Sequence, residues 1–280
     1  MVCKQRSASP SWRRSSFCLH ATPTLEVHHV HTRLPLKCVA LGDNGTYIIS
    51  FEDGDMAWSD GLVGDLCEDL DCIHRDNEKI TAVALGRDGK TGGGSSTAAD
   101  RAKSVHCIRV IDPSEDTYSY TTVYMHMDPG CAKDLGKLWE DAEGDDRVVR
   151  VAFAPGGGRF VFTQSGATSF EGLPVSLTDK LKQRQEDEDE VEQMSIGHNG
   201  EWFVLFESGA YFWEGVHPTL NRLLQEGKVG SRARRKGSRA SRTRVQWVEL
   251  GPSGSFVALF DDRTVWYGSE ALTEQLLSCV

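Results

Sequence analysis

The sequence has no CxxC pair, no apolar run long enough to cross a membrane, and no apolar leader near its start. Its eight cysteines (3, 18, 38, 67, 72, 107, 131 and 279) are scattered. The nearest couple, Cys67 and Cys72, has the spacing of neither a zinc ribbon nor a redox motif. Reduced thiols in a cytoplasmic protein, with the nucleus as an alternative, are the expectation. A spanning helix needs ~20 mostly apolar residues, so no membrane partner is expected. Acidic residues are missing from two stretches. Residues 1–25 carry Lys4, Arg6, Arg13 and Arg14 without an acid, and residues 228–244 carry eight cations without one. With those twelve set aside, 19 cations face all 41 acids. An acidic body of this kind repels nucleic acid unless a basic segment reaches it first.

What is present is a repeat. VALGDNGTYIISFEDGDMAWSDGL (39–62) recurs as SIGHNGEWFVLFESGAYFWEGV (195–216) and ELGPSGSFVALFDDRTVWYGS (249–269), and more loosely as AFAPGGGRFVFTQSGATSFEGL (152–173). A fifth start, VALGRDGK (83–90), precedes a Gly/Ser-rich insertion and two strand-like stretches at 105–111 and 118–125. With Leu41, Leu85, Ala154, Ile196 and Leu250 taken as equivalent, the spacings are 44, 69, 42 and 54. The two long ones contain insertions, so the period is a little over 40, which is the range of propeller blades.

Within each unit, a short apolar strand ends at a glycine turn, where φ > 0 is needed. The next strand is apolar on both faces: Trp202, Val204 and Phe206 share one side, and Phe203 and Leu205 the other. Such a strand is buried on both sides. Hairpin turns at Asp53-Gly54 and Ser208-Gly209 lead to a third strand ending at Trp58, Phe170, Trp213 or Trp266. The periodicity then becomes helical: Leu62, Leu66 and Leu70; Leu173, Leu177 and Leu181; Val216, Leu220 and Leu224; Leu272 and Leu276. The expected fold is all-β, a β-propeller of about five three-stranded blades, each followed by a short amphipathic helix covering the blade edge in place of a fourth strand. An open solenoid-like stack is the alternative. Residues 1–35 are expected to be a basic, disordered tail, with an organelle transit peptide as the alternative reading. Residues 36–280 form the repeat domain, with inserted loops at 90–104, 184–192 and 227–244.

VVRVAFAPGGGRFVFTQSG (148–166) and VALGDNGTYIISFEDG (39–54) resemble the first two strands and turns of WD40-like propeller blades, without the Trp-Asp dipeptide of strict WD40 repeats. The resemblance implies a rigid platform used for protein–protein contacts; fold alone does not fix function.

No catalytic residue, cofactor or metal site is assigned. Ala84-Leu-Gly-Arg-Asp-Gly89-Lys90-Thr91 nearly matches a phosphate loop, but Gly92-Gly93-Gly94 cannot open the helix that loop requires. His28, His29 and His31 lack a completing ligand at metal spacing. Asn44-Gly45-Thr46 reads as a turn rather than a glycosylation acceptor, and Ser165 lacks the glycines of a nucleophile elbow. Glu186 to Glu190 reads as a solvated acidic loop.

The segment most suggestive of function is 228–244. Arg232, Arg234, Arg235, Lys236, Arg239, Arg242 and Arg244 are the candidate contacts to a protein partner. Ser238, three residues after Arg235, is a candidate phosphorylation site whose charge would weaken that contact. The expected function is a non-enzymatic protein-interaction scaffold of unidentified partner. The alternatives are nucleic-acid association through 228–244, and an enzyme or small-molecule binder using the central cavity.

Overall fold

The computed structural model describes residues 26–62, 64–76, 78–87, 104–111, 121–126, 148–155, 158–163, 168–187, 189–232 and 244–279. The chain is mostly β, with helices between the sheets. The first sheet holds β2 (Leu36–Leu41), β3 (Tyr47–Phe51) and β4 (Met56–Trp58), followed by α1 (Gly64–Arg75). The second holds β5 (Lys79–Arg87), β6 (Ser104–Ile111) and β7 (Thr121–His126). The third holds β8 (Val148–Phe153), β9 (Arg159–Thr163) and β10 (Thr168–Glu171), followed by α2 (Val175–Glu186). The fourth holds β11 (Val191–Ile196), β12 (Trp202–Phe206) and β13 (Tyr211–Glu214), followed by α3 (Pro218–Arg232). The fifth holds β14 (Val245–Leu250), β15 (Phe256–Phe260) and β16 (Thr264–Tyr267), followed by α4 (Glu270–Leu277). Every pairing is antiparallel.

The first strands of the sheets are neighbours in a cycle: β2 lies beside β5, β5 beside β8, β8 beside β11, β11 beside β14, and β14 beside β2. An open stack would keep the first and last sheets apart. Three-stranded antiparallel sheets arranged this way fit a propeller-like arrangement.

The core sits between sheets rather than inside any one of them. Trp202, Val204 and Phe206 on one face of β12 join Phe160, Leu177 and Leu181 of the preceding unit. Phe203 and Leu205 on the other face join Leu220 and Leu224 of α3 and Val248, Phe256 and Phe260 of the following sheet. The double-sided alternation in the sequence is therefore explained by two cores, one on each side of the strand. The helical stripes obey the same rule. Leu66, Leu70 and Ile73 of α1 pack with Ile48 of the first sheet and Ile80 of the second. Leu272 and Leu276 of α4 pack with Val257 and Trp266 of the fifth sheet and with Val39, Leu41 and Ile49 of the first. Each stripe is thus shared between two successive sheets, where the sequence suggested a cover for one blade edge.

Three boundaries differ from the sequence reading. Residues 28–30, expected within the tail, form β1 (His28–Val30), which pairs antiparallel with β16 and makes the fifth sheet four-stranded. The chain then crosses directly to β2 of the first sheet. Leu34, on that crossing, is 1% exposed within the core between the fifth and first sheets. Its amide donates to the Thr264 hydroxyl at 3.1 Å. The loop expected at 184–192 shrinks, because α2 runs to Glu186 and β11 begins at Val191. Residues 227–232, expected within a loop, belong to α3, which runs to Arg232. In addition, the strand register aligns Phe153, not Ala154, with Leu41, Leu85, Ile196 and Leu250.

The glycine turn has a steric reason at Gly45. Its φ is +76°, and a Cβ there would sit 2.8 Å from the Ser269 Cβ. Ser269 caps α4 by accepting from the Leu272 amide, and its hydroxyl donates to the Gly45 carbonyl at 3.0 Å. That contact ties the fifth unit to the first.

Leu34→Ala is expected to lower the unfolding free energy by about 2–5 kcal/mol in chemical denaturation, as for buried leucines generally. Leu277→Ala, at a position 50% exposed, is expected to shift it by no more than about 0.5 kcal/mol. Equal effects at the two positions would mean that the crossing does not help hold the ends together.

Candidate functional site

Each first strand carries a register shift at the equivalent place: Leu36/Cys38, Ile80/Ala82, Val148/Arg150, Val191/Gln193 and Val245/Trp247. A bulge leaves one residue unpaired and re-aims the side chain that follows it. The residues after the five bulges are Cys38, Ala82, Arg150, Gln193 and Trp247, and all of them line one cavity at the centre of the cycle. Two positions further along the strands, Ala84, Ala152, Ser195 and Glu249 line it as well. Between these positions, Val39, Val83, Val151, Met194 and Val248 alternate with them along the strands. Three of these, Val39, Met194 and Val248, belong to the cores between sheets.

The cavity has a volume of about 40 Å³, room for about three waters. Its polar groups also hold the strands together. Arg150 Nη1 donates to the Glu192 carbonyl at 3.1 Å. Gln193 Nε2 donates to the Val248 carbonyl at 2.7 Å. Ser195 Oγ accepts from the Leu250 amide at 2.9 Å. Outside the cavity lining, the Ser50 hydroxyl donates to the Ile80 carbonyl at 3.0 Å. Gln193 is 3% exposed, and its Oε1 has no partner among the described residues. Buried acceptors without partners are uncommon in folded proteins.

Burial shifts the ionisable groups here. The Cys38 thiol is pushed up to about 12 by burial, with Arg150 pulling the other way. It therefore stays a thiol at neutral pH and is a poor nucleophile. Burial raises Glu249 to about 8, opposed by a hydrogen bond from Ser195 and by Arg150. Arg150 is lowered by burial, and Glu249, Cys38 and Glu192 counter this. At the turn end of the strands, His198 Nδ1 lies 3.1 Å from Asp43 Oδ1. These residues follow the first strands of the fourth and first sheets, which are not neighbours in the cycle.

The residues singled out in the sequence lie elsewhere. Arg232 ends α3. Arg234, Arg235, Lys236, Ser238, Arg239 and Arg242 lie outside the described residues. Arg244 is exposed just before β14, where its amide donates to the Asp261 carboxylate Oδ2 at 3.2 Å and its carbonyl accepts from the Asp261 amide at 3.0 Å. Ala84 to Arg87 of the phosphate-loop match lie within β5. Ser165 lies outside the described residues. His28 stacks on Trp266, and His29 meets His31 edge-on at 5.0 Å. Among the described residues no group of His, Cys, Asp or Glu is arranged to hold a metal.

Sequence reasoning missed Arg150, Gln193, Ser195 and Glu249. The available signal was a polar or small residue at alternate positions of strands that are otherwise apolar, as in VVRVAF, VEQMSI and VQWVEL. Only the register relates those positions to one another.

No family model matches the chain, and no curated protein does. Among solved structures, a chain titled "YCF48 bound to D1 peptide" aligns with 89% of this chain and 98% of its own, at 8% identity and a TM-score of 0.30. A likeness that slight supports no inference about this protein.

The raised Glu249 makes a signed prediction. The folded state holds a proton that the unfolded chain releases at its ordinary value of 4.5. The stability contributed by that bound proton is complete below that value and is lost as pH rises toward about 8. In Glu249→Gln the loss across this window is expected to shrink, measured as denaturant midpoints at mildly acidic and mildly alkaline pH. An identical pH profile for both proteins would mean that Glu249 titrates normally.

Proposed function

We propose that the chain is a closed, five-bladed propeller, each blade three-stranded and braced by a helix, with β1 completing the last blade. It serves as a protein-interaction platform. The reading is supported chiefly by the way apolar side chains are used. Large apolar residues are committed to cores shared between sheets, and among the described residues the large apolar side chains that stand exposed are Val175 and Leu277. A frame built this way keeps its shape while its loops vary.

The central cavity favours a platform over an enzyme acting on metabolites. At about 40 Å³ it is far smaller than the sites that enclose drug-sized ligands, and its thiol is protonated. Contacts to a partner would therefore come from loops at the ends of the strands. The cation-rich segment that follows α3 carries positive charges with no acid among them, and a partner presenting carboxylates or phosphates complements it. The rest of the chain is strongly acidic and disfavours a nucleic-acid duplex as that partner. No helix among the described residues is long and apolar enough to cross a membrane. A cytoplasmic or nuclear setting is part of this proposal.

The test compares the full chain with a version lacking residues 233–243, which leaves α3 intact. Affinity purification is expected to recover a stoichiometric protein partner with the full chain only, while the melting temperatures of the two versions agree. A partner retained by the shortened chain would move the contact to another loop. Saturable turnover of a metabolite, abolished by one substitution in the cavity, would overturn the platform reading.

A further inference from the structure

The outer strands of the sheets are not equally covered. β1 lies along the outer edge of β16, and beneath it Thr264, Val265 and Trp266 are 0%, 3% and 0% exposed. In the first sheet Met56, Ala57 and Trp58 of β4 are each half-buried, and among the described residues nothing pairs with the outer edge of that strand. The two edges correspond residue by residue. Phe51 donates its amide to the Asp55 carbonyl where its hairpin opens, and Phe260 donates to the Arg263 carbonyl at the same place. Counted from those closing residues, Met56 matches Thr264, Ala57 matches Val265 and Trp58 matches Trp266. The Asp55 carbonyl and the Ser59 amide face β3. Alternation therefore turns Ala57 inward as well and directs the amides and carbonyls of Met56 and Trp58 away from the sheet. Their counterparts, Thr264 and Trp266, are the residues opposite Val30 and His28 of β1.

We propose that the outer edge of β4 is a docking site for a protein partner, which adds a short, basic, extended segment there as an antiparallel strand, as β1 does on β16. An open edge of this kind offers main-chain hydrogen bonds for affinity, and the side chains around it select the sequence. The helices frame both edges in the same way. Around β1, Val27 packs with the core that holds Leu220 and Leu224 of α3, and Val30 with the core that holds Leu272 and Leu276 of α4. Around β4, α4 takes the place of α3 on the face of Ile49, and α1 takes the place of α4 on the face of Met56 and Trp58. His28 of β1 stacks on Trp266 at 5.7 Å, whereas Trp58 meets His74 edge-on at 6.2 Å and keeps part of its surface in water. A residue added in the place of His28 has a ring to stack on. The outer strand β13 is less suited, because Lys180 and Arg184 of α2 already lie over the Phe212 ring.

Charge specifies a basic occupant. Asp60 follows Trp58 by two residues and is exposed. The neighbouring Ser59 amide donates to the Tyr47 carbonyl, and the Tyr47 hydroxyl reaches the Ala271 carbonyl of α4 at 3.5 Å. Asp60 is thereby brought toward the exposed Glu270 and Glu274 of that helix. Burial raises the Tyr47 phenol, and Asp60 and Glu274 add to the effect. Burial likewise raises the Cys67 thiol of α1, with Asp71 and Asp60 adding to it. Negative charge from α4, α1 and the turn after β4 therefore meets at the Trp58 end of the strand. The cations nearby stand toward the other end: Lys79 lies along Gly54, and Arg75 pairs with Asp76 at 3.3 Å. In a strand placed as β1 is, the residues just before the one opposite Trp58 lie beside Asp60. Arginine or lysine fits there, followed by an aromatic residue over Trp58. This surface is separate from the cation-rich segment after α3, and it rests on the platform reading only in taking the occupant to be a protein.

The experiment uses the full chain and a short labelled peptide of alternating threonine and valine, with one tryptophan preceded by two arginines, followed by fluorescence anisotropy. Saturable binding that weakens with salt is the expected result. Methylating the peptide amides that lie opposite Met56 and Trp58 is expected to weaken binding about tenfold, because the hydrogen bonds to the edge are lost. Asp60→Lys and Glu274→Lys, both at exposed positions, are each expected to weaken it about tenfold while leaving the melting temperature unchanged. No saturable binding, equal affinity for the methylated peptide, or unchanged affinity in both charge variants would overturn the proposal. Binding that appears only once residues 1–25 are removed would also overturn it, because the occupant would then be the basic start of the chain itself. Loss of a partner on removing residues 233–243 is read separately, so either reading can fail without the other.

Discussion

A three-stranded sheet that is apolar on both faces cannot stand alone in water. Burying one face against a neighbour leaves the other exposed, and that need passes from sheet to sheet until the last meets the first. The rest of this structure depends on that constraint. Phe203 and Trp202 are adjacent in β12 yet belong to different cores. The same logic unites Trp266 with Leu41 although most of the chain separates them. At roughly 25 cal/mol per Å² of apolar surface removed from water, the faces of these sheets are too large to leave open. Joining the ends of the chain therefore has a strong driving force.

That joining has an entropic cost, and β1 shows how the fold handles it. One short segment belongs to the outer edge of the fifth sheet, crosses through buried Leu34, and becomes the inner strand of the first. Ser269 adds a second tie by capping α4 and bonding Gly45 with one hydroxyl. The N-terminal strand pairs through its backbone, so its own side chains need little apolar character. His28, His29 and Val30 give hardly any strand signal of their own, and they fell inside a stretch whose composition resembles a tail.

The centre of the cycle follows a different rule from the cores. Five bulges at equivalent positions bring five side chains together, and space there is too limited for five large ones. Alanine fills one position, whereas Arg150, Gln193 and Trp247 fill others. Burying a guanidinium and an amide costs free energy unless each finds a partner. Arg150 reaches the Glu192 carbonyl and lies in the field of Glu249, and Gln193 reaches the Val248 carbonyl.

Much of the fold was legible in the sequence, because its signals are local. The glycine turns, the double-sided alternation of WFVLF and FVALF, and the leucine spacing of α1 to α4 each depend on a few consecutive residues. Burial of Leu66, Leu70, Leu177, Leu181, Leu220 and Leu224 follows from that spacing. The site was not legible, since Arg150, Gln193, Ser195 and Glu249 lie on three separate strands and read singly as ordinary polar residues. By itself the sequence determined the repeat, the strand faces and the helical stripes, through the short-range geometry of turns and the periods of strand and helix. Only the tertiary structure decided which faces share a core, that residues 28–30 complete the last sheet, and that the five bulges point to one centre. Those outcomes depend on register and closure between distant segments, which no local pattern encodes.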